Sequence, residues 1–394
     1  MRDKFLPFST PSIGEDAIAD IADSIRSGWV AMGPKTLQFE KTFGQYVGSS
    51  WAMSCNSGTA GLHLAVMALG LGPGDEVITT PMTFASTVNV ILFAGATPVL
   101  ADIDRRTLNI SPENIEAAVT PATKAIMPVH FAGRPCDMDA IEEIAEKHHL
   151  AIIEDAAHAI GASYKGRRIG ADRGPRHLTV FSFHPTKNIT TAEGGMVCTA
   201  DEALAEKILV LRQNGMSKGA WNRYTASGSA SYDIPFPGLK YTMTDIQAAI
   251  GNSQIRHLDE FNARRREIVN FYMKELAGVP GLILPQPVEK GNVHSWHIFT
   301  PFIDIDRLGI SRSEFMARLK KLNIGTALHY QALHLFSYYS KRLGLHRGSF
   351  PEAEYVSDRI LSLPLFPAMT DRDMRDAAAA VRQVACEAAG QHGN

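Results

Sequence analysis

The sequence predicts a large α/β domain with a mainly parallel sheet, followed by a smaller α+β domain. Three observations carry that expectation. Between residues 76 and 154, short apolar runs alternate with helix-period segments, and strands separated by helical crossovers lie parallel with helices on both faces. The 394 residues are too many for one small core. A long helical pattern at 244–277 separates the alternating region from a less regular remainder. The boundary is placed inside that helix near residue 260, giving domains 1–260 and 261–394.

The elements follow in order. Residues 15–27 carry a helical period, then a loop with two glycines and a tryptophan, 28–34, precedes a helix at 36–47. That loop is read equally as a lid or a connector. Ser57-Gly58-Thr59 opens an apolar helix at 60–69, and such a start leaves backbone N–H groups free for an anion, or serves only as a cap. Gly70-Leu71-Gly72-Pro73-Gly74 follows a helix rather than a strand, so it reads as a C-cap and turn and not as a dinucleotide fingerprint. Strands are expected at 76–80, 98–103, 125–130 and 150–154, with helices at 84–94, 114–119 and 137–149 between them. Asp137 is the expected cap of the last helix.

An apolar run at 178–183 ends in His184-Pro185-Thr186-Lys187-Asn188, and Gly194-Gly195 leads into a second apolar run. This spells strand, tight loop, strand, with Lys187 at the tip. A helix is expected at 201–213, and residues 215–238 form a long stretch without period. Beyond residue 260, a strand is expected at 295–305 and another strand end at 326–330. Helices are expected at 311–322 (capped by Ser311), 352–361 and 371–389. The Arg264-Arg265-Arg266 run reads as a solvated helix face.

Composition excludes several classes. Apolar residues make up 45% and charged residues 20%, with a net charge of -2, so no overall nucleic-acid surface is implied. No apolar run approaches ~20 residues, so no membrane span is expected, and the first residues lack a signal-peptide core. The four cysteines lack zinc or redox spacing, which points to free thiols and a cytoplasmic location.

The candidate chemistry gathers at strand ends, where open α/β sheets bind ligands. Asp155 ends one strand and His158 follows three residues on; Lys187 follows another, and Phe84 follows a third. With an anion site at Gly58-Thr59, these are the parts that hold pyridoxal 5'-phosphate: a lysine for the carbonyl, a carboxylate for the pyridine nitrogen, an aromatic against the ring and a helix N-terminus for the phosphate. Taken singly, Asp155 also reads as a cap and His158 as a packed core residue.

The order and wording of these motifs resemble the DegT/StrS family of sugar aminotransferases over essentially the whole chain. The matching stretches are SGWVAMGPKTLQFE (27–40), SGTAGLHLA (57–65), GDEVITTPMTFAST (74–87), GATPVLADID (95–104), IEDAAHAIGASYKG (153–166), FSFHPTKNITTAEGGM (181–196), TDIQAAI (244–250) and SLPLFPAMT (362–370). The resemblance is nearest to the type acting on UDP-4-keto-pentose. It implies a fold-type I pyridoxal-phosphate enzyme, a homodimer with shared active sites. It implies Lys187 as the Schiff-base lysine, Asp155 on the ring nitrogen, His158 beside the phenolic oxygen and Phe84 stacked. Gly58, Thr59 and Ser182 would hold the phosphate, and His329 and Tyr330 would line the sugar site. Lys240 stands where many members carry an asparagine that reaches the neighbouring subunit's cofactor, which leaves that role open. The implied reaction is ping-pong, moving an amino group from L-glutamate to a nucleotide-linked 4-keto sugar. Two rivals remain: a non-catalytic binder of cofactor or sugar on the same scaffold, and an aminotransferase of free amino acids, for which Arg312, Arg318 or Arg359 would have to hold the carboxylate.

Overall fold

In the chain's first two thirds, apolar side chains on successive strand residues point to opposite faces, and each face is covered by helices. The computed structural model describes residues 2–217 and 232–392. Its strands are β1 Trp51–Cys55, β2 Glu76–Thr79, β3 Thr97–Leu100, β4 Thr123–Met127, β5 Ala151–Asp155, β6 Ser163–Tyr164, β7 Arg167–Arg168, β8 His177–Ser182, β9 Gly195–Thr199, β10 Leu282–Ile283 and β11 Phe302–Ile303. Its helices are α1 Glu15–Ser27, α2 Pro34–Val47, α3 Gly58–Ala68, α4 Ala85–Phe93, α5 Pro112–Ala118, α6 Met138–His148, α7 Glu202–Leu211, α8 Asp245–Glu275, α9 Ile305–Leu308, α10 Arg312–Lys321, α11 Ser337–Leu343, α12 Pro351–Arg359 and α13 Asp371–His392.

The main sheet has seven strands in the order β1-β9-β8-β5-β4-β2-β3. Strands β8, β5, β4, β2 and β3 are parallel, and β9 runs against both β8 and β1. The α/β expectation therefore holds. Strand alternation sorts the core. Ile126, Ile152, Phe181 and Met196 join Phe39 and Phe43 of α2, Ile141 of α6 and Leu258 of α8. Met127, Ile153, Val180 and Val197 face the other way, onto Leu64 of α3, Ile91 of α4 and Ile208 of α7. A separate cluster joins Ile268 and Tyr272 of α8 to Phe315 of α10 and Val381 of α13.

Caps explain where several helices start. Asp137, Ser311 and Thr244 accept backbone N–H bonds at the heads of α6, α10 and α8, and Thr244 forms a reciprocal capping box with Gln247. The 28–34 loop is tied down by the buried Asp245, which accepts from Gly33, Lys35 and Thr36.

Three expectations are corrected. Residues 295–305 are not one strand: only Phe302–Ile303 is regular, with an isolated bridge from Phe299 to Leu363, because this segment pairs piecemeal with the 360–363 link. Residues 326–330 likewise make one bridge, Ala327 to Ser362. Arg265 is not on a solvated face; it is 1% exposed and donates to the carbonyls of His297 and Leu365, both at 3.0 Å. Most of the aperiodic 215–238 stretch, residues 218–231, lies outside the described residues. The four cysteines are unpaired. Among the described residues no helix is long and apolar enough to cross a membrane.

Candidate active site

Lys187 sits at the tip of the turn between the antiparallel β8 and β9. The turn is anchored on every side. Lys187 N–H donates to the His184 carbonyl, Thr190 Oγ1 donates to the Phe183 carbonyl, and Asn188 Nδ2 donates to Asn262 Oδ1 on α8 and to the Ser295 carbonyl. A fixed backbone limits where the amine can go. The amine lines a cavity of about 1260 Å³. Loss of solvent brings the Lys187 ammonium down to about 8, against a smaller opposing pull from Asp155.

Asp155 ends β5 beside this cavity, 4% exposed. Its Oδ2 accepts from Thr87 Oγ1 at 2.8 Å and its Oδ1 from the Ala157 N–H at 3.2 Å. Burial pushes its carboxyl upward, and these donors together with Lys187 pull it back. Glu154, one residue earlier, faces the opposite side of the sheet. There it meets His130 Nε2 at 2.7 Å, His177 Nε2 at 2.7 Å and Thr179 Oγ1 at 2.8 Å. Desolvation raises that carboxyl, but the histidine contacts outweigh it and hold it well below the usual carboxylate range. Period two in the strand thus puts one carboxylate toward the cavity and its neighbour into a closed polar cluster.

His158 is fixed in one tautomer. Its Nδ1 accepts the Ala132 N–H at 3.2 Å, so the ring proton is on Nε2. That proton is donated to Tyr330 Oη at 3.0 Å, and the phenol proton of Tyr330 is left for an acceptor in the cavity. Burial keeps His158 well below the usual histidine range, with Lys187 adding to the effect. His329 falls to about 4 for the same two reasons and bonds Ser362 Oγ at 2.8 Å.

At the start of α3, Ser57 Oγ accepts from Ala60 N–H and Ser57 O from Gly61 N–H. The amides of Gly58 and Thr59 take no partner among the described residues, and both residues line the cavity with Ser182. A Cβ on Gly58 would stand 2.8 Å from Ser182 Cβ, so only glycine lets this helix end close on β8.

The structure therefore brings together Gly58, Thr59, Phe84, Asp155, His158, Ser182, Lys187, His329 and Tyr330 around one cavity. Phe84 is 60% exposed at its rim. Lys240 is not among them. It is exposed and lies outside its own chain's cavity, in a segment whose Tyr241 carbonyl takes the Asn56 N–H. Sequence reasoning missed the outer wall from Leu333, Phe336, Tyr338 and Tyr339, for which the aromatic run LHLFSYYS was the available signal. It also missed Thr83 and Thr87.

A family model described as the DegT/DnrJ/EryC1/StrS aminotransferase family matches residues 11–382. The chain belongs to this family. SpsC of Bacillus subtilis, a spore coat polysaccharide biosynthesis protein, is 49% identical over 384 residues, covering 97% of this chain and 98% of SpsC. The PMP form of Spr1654 from Streptococcus pneumoniae, assigned as a sugar aminotransferase, superposes with a TM-score of 0.90 at 32% identity, covering 97% of this chain and all of that one. PseC of Helicobacter pylori, an aminotransferase in pseudoaminic acid biosynthesis, gives a TM-score of 0.90 at 26% identity, covering 98% of this chain and 100% of PseC.

DegT/StrS aminotransferases use pyridoxal phosphate, and the chain is a sugar aminotransferase of that kind. Its own residues fit the cofactor. Two amides without a partner among the described residues, a glycine that a Cβ would block, a desolvated lysine and a buried carboxylate face one space. Arg312, Arg318 and Arg359 do not line the cavity; they bond the Ser357 carbonyl, Glu314 and Asp306 respectively.

Proposed function

We propose that this enzyme transfers the amino group of glutamate to the 4-keto carbon of a nucleotide-linked sugar, a pentose or a 6-deoxyhexose, in the cytoplasm. One observation carries the acceptor class. The cavity of about 1260 Å³ runs outward from Lys187 along an aromatic wall, and no arginine lines it among the described residues. That exceeds the roughly 300–1,000 Å³ of most small-molecule sites, and none of the described residues lining it is an arginine for a free amino acid's carboxylate. The regulator reading loses support because Lys187 and Asp155 are both intact and face the same space.

Bound pyridoxal phosphate supplies an aldehyde for the amino group and a ring that accepts electrons from the substrate carbon. Lys187 Nζ would be the nucleophile toward that aldehyde. As the free amine it would take the proton of the donor's α-carbon, and as the ammonium so formed it would give that proton to the carbon from which the amino group is passed on, roles that its lowered ammonium suits. Asp155 would hold the proton of the ring nitrogen, Gly58, Thr59 and Ser182 would bind the phosphate, and Phe84 would cover the ring. His158 fixes the Tyr330 hydroxyl as a donor toward the ligand, and His329 lines the sugar side. The two substrates use one site in turn, so initial rates should be ping-pong.

The working unit is a homodimer. The cofactor phosphate and a nucleotide diphosphate bring several negative charges, yet Lys187 is the only lysine or arginine lining the cavity among the described residues. A second copy supplies the remaining cations, Lys240 among them. Within each copy, the sheet domain ends near residue 260.

The test is product mass after incubation with glutamate and an equimolar mixture of UDP-4-keto-pentose and UDP- and dTDP-4-keto-6-deoxyhexoses. An aminated nucleotide sugar is expected, and its mass and nucleotide select the acceptor. Turnover of simple keto acids with none of these sugars would overturn the reading. Lys187→Ala should keep bound cofactor and lose about 10³-fold or more in turnover, measured by the same assay.

A further inference from the structure

A carboxylate taken out of water picks up a proton unless donors stabilise its charge. Asp155 is buried, and the Ala157 amide alone, at 3.2 Å, is a long contact. The shorter donor comes from a different element. Thr87, in the first turn of α4, donates Oγ1–H to Asp155 Oδ2 at 2.8 Å. Thr87 is 0% exposed and has one hydroxyl proton to give. With that proton committed, the 2.7 Å contact between Thr83 Oγ1 and Thr87 Oγ1 has Thr83 as donor. Thr83 is itself buried and lines the cavity. The hydroxyls form a directed chain, Thr83 to Thr87 to Asp155, in which each bond polarises the next. Neither hydroxyl caps the helix, since α4 starts at Ala85 after Phe84 with no side-chain cap.

We propose that Thr83 and Thr87 are positioning residues that keep Asp155 ionised and aimed at the cofactor's ring nitrogen. This rests on the reading above that Asp155 faces that nitrogen. The other groups around Asp155 do not replace them. Lys187, from the loop after β8, favours the anion only while it is itself charged. His130, three residues beyond β4, spends its Nε2 proton on Glu154. His158 spends its proton on Tyr330, whose phenol is neutral.

The test uses holoenzyme loaded with pyridoxal phosphate carrying ¹⁵N in the ring, and follows the ring nitrogen by NMR against pH. Wild type should show a protonated nitrogen near neutrality. Thr87→Val, close to isosteric, removes the donor and makes the Asp155 carboxylate a stronger base, so the shared proton should move from the ring nitrogen toward Asp155 by about tenfold, with kcat falling. Thr83→Val should shift it less, by roughly threefold, as the outer bond of the chain. Thr87→Ser should restore the wild-type titration. Wild-type titrations in both valine variants would overturn the proposal, as would a serine variant as impaired as the valine one, since that pattern means packing. If Thr87→Val does not fold, Thr83→Val and Thr87→Ser decide between the same outcomes. A wild-type ring nitrogen that is unprotonated would instead remove the Asp155 assignment on which the proposal stands.

Discussion

A lysine attacks carbonyl carbon only as the free amine, so its ionisation in place decides its use. In water a lysine holds its proton to about 10.4, whereas burial brings Lys187 to about 8. The shift is downward, so the free amine gains population as pH rises through about 8, well below the usual lysine range. In cofactor-free protein, competitive labelling with acetic anhydride should therefore show Lys187 reacting half-maximally near pH 8, read by peptide mass spectrometry. A midpoint with the surface lysines would mean the cavity does not desolvate it. Lys187 and Asp155 were legible in the sequence because each follows an apolar strand run and so falls at a strand's carboxyl end. Thr87 was not, because no local spacing tells that it meets a residue 68 positions away. Arg265 misled for the same reason, since its carbonyl partners lie 32 and 100 residues downstream.

At the scale of elements, the site depends on how closely α3 lies on the sheet. Gly61 faces Val180 of β8, and a Cβ there would stand 2.7 Å from Val180 Cγ1 and 3.2 Å from Cys55 Sγ. Gly61→Ala therefore sets two effects against each other. Helix propensity favours alanine by about 1 kcal/mol, while overpacking a closed core costs about 1–3 kcal/mol. The second wins, and the variant should lose about 1 kcal/mol in urea unfolding of the cofactor-free protein. Its holoenzyme should also bind cofactor more weakly, since the Gly58 and Thr59 amides shift with the helix. A gain in stability would show that the contact yields freely. Helix α3 was readable because its apolar period is long and its start carries Ser57. Strand β1 was not read as a strand, because its five residues mix Trp, Ser and Cys without alternation and gain their place only by pairing with β9. The piecemeal pairing of 295–305 was invisible for a similar reason, being decided by the distant 360–363 link.

At the scale of the whole molecule, the proposed dimer makes a prediction about which copy serves which site. A two-fold interface gives two equivalent sites, each built from both copies. If Lys187 works in its own cavity and Lys240 in the partner's, Lys187→Ala and Lys240→Ala homodimers are each defective at both sites. In a mixed dimer, one site collects both substitutions and the other collects neither. Random mixing at equal amounts makes half the dimers mixed, each with one good site in two, so activity should recover to about a quarter of wild type. Sedimentation must show dimers throughout, and the recovered activity should track the mixed fraction. The exposed position of Lys240, outside its own chain's cavity, is the reason to expect this result. Each alternative leaves a different mark. If Lys240 served its own cavity, each subunit of a mixed dimer would carry one broken site and mixing would recover nothing. If it served no site, Lys240→Ala alone would turn over normally, and the missing positive charge would have to come from another residue of the second copy.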